Sequence, residues 1–332
     1  MSNIKMEFCT ECRKNTPYTL QKQTVKKTIK GHTYDFSITL AVCHDCGCAI
    51  NIPGLIDKNI QEIDRQYRAY EGLASVADIE KLKALYDIGT RPLSLALGFG
   101  EITVERYLRG QMPSRAYSNV IQLALANPAY MKQKLEENRG KLTDVAYAKA
   151  MNLAQKYERD FTTISDPMQG VLSRLVENKD DITPLELQKL LYFTQAVFLA
   201  LYGKVLFPET FQAWRFGPVH PGVYNMFKSF GFRPIEDARF AIIRDKQKKL
   251  TEEEIQVVDL VLATFGRYSG EVLRDITHAE TPWLEGRGDL EEDERSSAVI
   301  SNESIAAYYK AQDAVYDFSS KKGLQAYIHT IL

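Results

Sequence analysis

The stretch Ile182–Phe232, ITPLELQKLLYFTQAVFLALYGKVLFPETFQAWRFGPVHPGVYNMFKSFGF, constrains the chain more than any other. A helix is predicted to start at Thr183-Pro184. Thr183 can cap it, Pro184 suits the first helical position, and Glu186 lies three residues past the cap. Leu187, Leu190, Leu191, Thr194, Val197, Phe198 and Leu201 then fall at helical spacing and run almost all the way round by the second half. A helix apolar on every side lies inside a core. Gly203 ends it. The connection that follows carries Phe207-Pro208, Trp214, Gly217-Pro218 and Pro221-Gly222, and a second helix carries Val223, Tyr224, Phe227 and Phe230. These residues set shape. None of them names a reaction.

Length allows two or three domains in 332 residues. The net charge of −1 removes any global pull toward nucleic acid, so a basic face must be local. Apolar runs fall short of a membrane span, and the N-terminus lacks the apolar core of a signal peptide. A cytoplasmic location and no membrane partner are expected. All five cysteines lie within the first 48 residues, which suits a metal site better than a disulfide framework.

Cys9-Thr10-Glu11-Cys12 and Cys43-His44-Asp45-Cys46 are two CxxC pairs, and Gly47 allows a tight turn after the second. Four thiolates suit tetrahedral Zn2+. Between the pairs, Leu20–Ile29 is Thr-rich, and Tyr34–Val42 alternates Tyr34, Phe36, Ile38, Leu40 and Val42 with smaller or polar residues, a period of two. Lys30-Gly31-His32 makes the turn. The segment is expected to be a zinc ribbon with Cys9, Cys12, Cys43 and Cys46 as ligands. With every ligand position filled by Cys, the zinc is structural. Cys48, His32 and His44 are expected to be bystanders.

After Pro53-Gly54, Ile60, Ile63, Tyr67 and Tyr70 mark a linking helix. Four short helices are predicted next: Asp78–Tyr86, Pro92–Leu97, Glu101–Leu108 and Ser114–Leu125. Helix, short helix, Gly-containing turn and short helix is helix-turn-helix spacing, with Ala96 at the small position and Gly100 in the turn. Thr103 and Arg106 are then candidates for base edges, and Arg91, Arg109 and Arg115 for phosphates. Glu101 and Glu105 oppose that reading, and the competing one is a helical bundle that reads no DNA.

Tyr130–Tyr157 reads as one or two polar helices bridging the halves. In the C-terminal part, helices are expected from Pro167, over Thr251–Phe265, after Ser269, and after Ser301. Ile235–Ile243 reads as extended, and the tail after Phe318 has little pattern. Asp289–Glu294 is an acidic run, read as a solvated loop that could contact a basic partner. HExxH, GxSxG and Gly-rich phosphate loops are all missing. His220, His278 and Glu280 are expected to hydrogen-bond within the fold, the last two fixing the loop at Pro282-Trp283. No enzyme is expected.

Three separated motifs carry a family resemblance: Leu187–Phe193 with Gln195, Ala213–Val219 with Pro221–Tyr224, and Thr277–Trp283. Together they resemble the Panacea, or SocA-like, domain of antitoxins, over roughly Asp166 to Asn302. The CxxC pairs with Gly98–Gly110, including Val104-Glu105-Arg106-Tyr107-Leu108-Arg109-Gly110, resemble the MqsA-like antitoxins. The match departs at Arg91–Leu95, where that family usually shows a polar, Gln-containing helix start. The resemblances imply a mainly α fold with a small β zinc ribbon, in four parts: ribbon 1–56, linker and helix-turn-helix 57–128, helical bridge 129–165, and Panacea domain 166–332. They imply a type II antitoxin that binds a cognate toxin through the C-terminal domain, forms a homodimer and represses its operon at operator DNA. Tyr192, Trp214, Arg215, Phe216 and His220 are the candidate toxin contacts, with core the stronger reading for Trp214. The alternatives are a transcription regulator with a sensing C-terminal domain and a proteolytic adaptor.

Overall fold

A computed structural model describes residues 5–291 and 294–332, so Glu292 and Asp293 of the acidic run lie outside the described residues. The fold is mainly helical with a small antiparallel sheet near the N-terminus. The chain divides into two compact units: residues up to Glu80 with Ile102–Gln122, and Lys81–Glu101 with Leu123–Leu332.

The first unit is built on a four-stranded antiparallel sheet. Its strands β1 (Met6–Cys9), β2 (Lys14–Ile29), β3 (His32–Cys43) and β4 (Ala49–Ile50) neighbour one another in chain order. The β2–β3 hairpin closes at Ile29↔His32 through Lys30 and Gly31, whose φ values are 51° and 85°. Positive φ at both central residues is the turn that matches strand twist, so two residues suffice where the sequence predicted three. Helix α1 (Leu55–Glu71) covers the face of β3 that the alternation marked as apolar. Phe36 is buried there, and Tyr34 packs edge-on to Tyr67, ring centroids 5.4 Å apart.

Beyond the short β4, the outer edge of β3 would be bare. Two side chains of α1 cover it. Asn59 accepts from Thr39 N at 2.9 Å and donates to Thr39 O at 2.8 Å, and Gln66 does the same for Ser37 at 2.8 Å each. Side-chain amides thus replace a missing strand. Arg68 is buried on the same helix. It binds Asp64 at 2.7 Å and donates to Ala74 O at 2.9 Å and Gly110 O at 3.2 Å.

Helices α2 (Val76–Tyr86), α3 (Thr90–Ala96), α4 (Thr103–Leu108) and α5 (Arg115–Ala126) fall where four short helices were expected. The expected 57–128 domain is shared between the units: α4 belongs to the first and α3 to the second. In the second unit, Asn138 donates to Ala96 O at 3.1 Å and ties the end of α3 to the loop after α6 (Pro128–Glu137). The stretch expected to bridge the halves forms two helices, α6 and α7 (Asp144–Thr162), both inside the second unit.

The rest of the second unit surrounds one helix. After α8 (Asp166–Asn178) comes α9 (Pro184–Tyr202), sixteen of whose nineteen residues are buried, so its neighbours pack on all sides. Thr183 and Glu186 form a full capping box at its start, and Gly203, at φ 66°, ends it. Strands β5 (Phe211–Trp214), β6 (Gly217–Val219) and β7 (Val299–Ile300) form a small antiparallel sheet in the order β6-β5-β7. The remaining helices are α10 (Pro221–Phe227), α11 (Phe240–Ile243), α12 (Glu252–Phe265), α13 (Gly270–His278), α14 (Thr281–Arg287), α15 (Asn302–Tyr316) and α16 (Lys321–Ile331).

Two expectations are corrected. Ile235–Ile243 is not extended. Its second half is α11, because Ala241 and Ile243 bury themselves beside α8. The tail beyond Phe318 is helical too. Ser320 caps α16, and Leu324, Tyr327 and Ile328 enter the core.

Candidate functional sites

The four cysteines of the two CxxC pairs converge at the base of the ribbon. Their sulfurs all lie within 4.8 Å of one another, with Cys9 to Cys46 at 3.5 Å and Cys12 to Cys43 at 3.9 Å. A tetrahedral zinc with Zn–S bonds of about 2.3 Å needs S···S separations of about 3.8 Å. The donor set therefore fits. Thr16 Oγ1 lies 3.2 Å from Cys43 Sγ, and backbone N–H groups of Cys12 and Asp45 donate to Cys9 and Cys43 at 3.5 and 3.3 Å. The Thr16 hydroxyl draws the Cys43 thiol down to about 6, while contact with Cys46 pushes Cys12 well up. Without a cation, then, the sulfurs cannot all ionise together. Cys48 is exposed and stands outside the cluster.

The second site starts from polar side chains on α9 that a wholly apolar helix would not need. Gln188 accepts from His220 N at 2.7 Å. Lys189 donates to Pro218 O at 2.9 Å. Gln195 donates to Phe207 O at 2.9 Å and accepts from Leu206 N at 3.0 Å. Each bond satisfies a buried group, and each ties α9 to the connection that follows. The β5–β6 hairpin is held in this way from beneath. Gly217, at φ 90°, sits over Lys189, and a Cβ there would lie 2.6 Å from Thr277 Oγ1 and 2.7 Å from Lys189 Nζ.

Tyr192, on the same helix, reaches Glu280 at 3.1 Å. Glu280 is fully buried and also accepts from Tyr309 at 2.7 Å and Tyr327 at 2.8 Å. Burial pushes its carboxyl up to about 7, against the opposing pull of the three hydroxyls. It was expected to fix the Pro282-Trp283 loop. Instead it joins α9, α15 and α16. Trp283 has its own tie, donating to Trp214 O at 3.0 Å, and His278 stacks on Trp283 with centroids 3.8 Å apart. Burial, then the nearby Lys189, lowers His278 to about 4, so it stays neutral.

The candidate toxin contacts therefore separate. Tyr192 is wholly buried and His220 nearly so, with His220 Nδ1 accepting from Val223 N at 3.2 Å as the cap of α10. Both build the scaffold and offer a partner no surface. Trp214 is only half-buried: it ends β5, the central strand, at the hairpin, and its ring leans on Tyr224; Trp283 is the buried tryptophan. Arg215 and Phe216 are exposed at the hairpin tip, the arginine over the Phe216 ring at 5.2 Å. Tyr309 and Tyr327 were not singled out as site residues. Only their distance in sequence from Glu280 hid them.

Of the candidate DNA contacts, Thr103 and Arg106 lie on α4, and Arg109 caps its end. Arg106 and Arg109 are exposed and Thr103 is half-buried. Arg109 pairs with Glu105 at 2.5 Å, Arg91 with Glu101 at 2.9 Å and Arg115 with Glu71 at 3.6 Å. Ion pairs between side chains this exposed are screened by solvent and contribute little.

Comparison with known proteins adds to this geometry. Antitoxin SocA of Caulobacter vibrioides (strain NA1000 / CB15N) is 39% identical over 111 residues, which cover 31% of this chain. The chain spans 58% of the length of that curated relative. No solved structure matches. The model of the family described as "Antitoxin SocA-like, Panacea domain" matches residues 187–284, which run from the second turn of α9 into α14 and take in the interlocked hairpin, so this part of the chain is a SocA-like Panacea antitoxin domain.

Proposed function

We propose that the protein is the antitoxin of a type II toxin–antitoxin pair and neutralises its toxin by direct binding, making and breaking no bond. The observation that carries the reading is the Panacea match on a domain whose buried polar bonds hold a hairpin tip with half-buried Trp214 and exposed Arg215 and Phe216. A preorganised aromatic and arginine tip suits a binding hot spot, since little ordering cost remains to be met on association. The first unit would act separately. Cys9, Cys12, Cys43 and Cys46 would hold a structural Zn2+, and α4 with its flanks would bind the operon's promoter as a homodimer, with Thr103 and Arg106 toward bases and Arg109 and Arg115 toward phosphates; Arg91, on α3, belongs to the second unit and is not part of this site.

The test is expression of the neighbouring open reading frame alone and together with this protein. Growth arrest by the neighbour, relieved by co-expression, is the expected result. A neighbour that is harmless alone, or still toxic with this protein present, refutes the antitoxin reading. In the same strain Arg106→Ala should weaken promoter binding about tenfold while leaving rescue intact; loss of rescue with unchanged promoter binding would reverse the assignment of roles.

A further inference from the structure

Beside the hairpin tip lies a cavity of about 550 Å³ within the second unit. Trp214, Tyr224 and Phe216 form its aromatic walls, Gln212 contributes an amide, and Arg215 and Arg295 reach it from two sides. Trp214 Nε1 is already spent on Gln212 Oε1 at 2.8 Å, which leaves the Gln212 NH2 group to donate. Among the described residues neither arginine has a carboxylate within ion-pair distance. Two guanidinium groups at one aromatic-walled cleft can give an arriving carboxylate bidentate bonds.

We infer that this cleft receives a carboxylate-bearing, aromatic or aliphatic segment of the partner protein: an Asp or Glu between Arg215 and Arg295, with the adjoining apolar side chain against Trp214 and Tyr224. The inference rests on the antitoxin reading above and specifies its contact. Charge complementarity decides the occupant. The cleft opens beside the three-stranded sheet, and its polar lining consists of donors, with Ser296 and Ser297 adding hydroxyls. An extended segment carrying one acid matches this, whereas the aromatic walls offer nothing specific to a small inorganic anion. Lys189 and Trp283 bond Pro218 O and Trp214 O and so fix the hairpin that carries Trp214, Arg215 and Phe216, which favours a cleft formed before the partner arrives.

The experiment is titration calorimetry of the full-length protein against the product of the neighbouring toxic gene, in an inactive variant, at low and high sodium chloride. Arg215→Glu with Arg295→Glu should weaken binding at least tenfold and flatten the salt dependence, while Arg215→Lys with Arg295→Lys loses less. Arg267→Glu, an exposed arginine away from the cleft, carries half that charge change, probes a general charge effect and should bind like wild type. Replacing one toxin Asp or Glu by Arg should restore binding to the double Glu variant. If the double Glu variant binds as tightly as wild type, or Arg267→Glu loses as much, the cleft is not the contact and the antitoxin reading still stands. If wild type itself does not bind, both fall. If free phosphate competes as well as an acidic peptide drawn from the toxin, the site takes anions generally and the protein-segment assignment is overturned.

Discussion

Glu280 governs the pH behaviour of the second unit. Its folded value, raised to about 7 by burial, exceeds the ordinary 4.5 of a free glutamate. A group raised on folding lends stability that is fully present below its unfolded value and lost as pH rises through its folded one. The shift corresponds to about 3 kcal/mol, lost between roughly pH 4.5 and 7. Thermal melts of wild type and Glu280→Gln across that range should lie closest at acid pH and diverge toward neutral pH, with wild type the steeper and losing stability as Glu280 ionises; parallel curves would show that Glu280 does not titrate there. At Gly217 any Cβ meets Lys189 and Thr277 and must also adopt positive φ. Gly217→Ala is expected to cost on the order of 2 kcal/mol, read by urea titration, and to reduce partner binding by moving the tip.

At the scale of elements, local signals were legible and distant ones were not. The capping boxes at Thr183–Glu186 and Thr251–Glu254, the caps Ser269 and Ser301, and the alternation in β3 were all readable, because each is a pattern within a few residues. The CxxC pairs told of their own convergence through spacing. By contrast, α11 and α16 owe their form to packing against chain far away in sequence, and the joining of Glu280 to Tyr309 and Tyr327 has no local trace. The same holds for the pairing of Arg295 with the β5–β6 tip across one cleft. The ribbon makes a prediction of its own. The buried cluster at its base is Cys9, Ala41, Cys43 and Ile50, two of them in the four-cysteine group that could hold a metal, so removing sulfurs would remove core and the proposed metal together. Cys9→Ser/Cys43→Ser should lose about one zinc per chain by elemental analysis, along with the sheet signal of the ribbon. Zinc content equal to wild type would rule out the four-cysteine centre.

Over the whole molecule, the two units differ in what holds them. The first has a small sheet with a four-cysteine cluster at its base, the proposed zinc site, and the second has one large core around α9. Treatment with a strong zinc chelator should therefore abolish an early calorimetric transition and leave the melting of the second unit in place; a single transition that shifts as one would contradict this. The buried bonds of α9 have a further consequence for how the protein comes into being. Tyr192 and Tyr327 share one carboxylate although 135 residues separate them. At roughly 5–20 residues per second, a ribosome needs on the order of ten seconds between them. Glu280 itself is made only after α9, so for the later part of that interval the nascent domain holds an acid without its full set of donors. A message cut short before codon 327 yields a product in which Glu280 lacks one of its three hydroxyl partners.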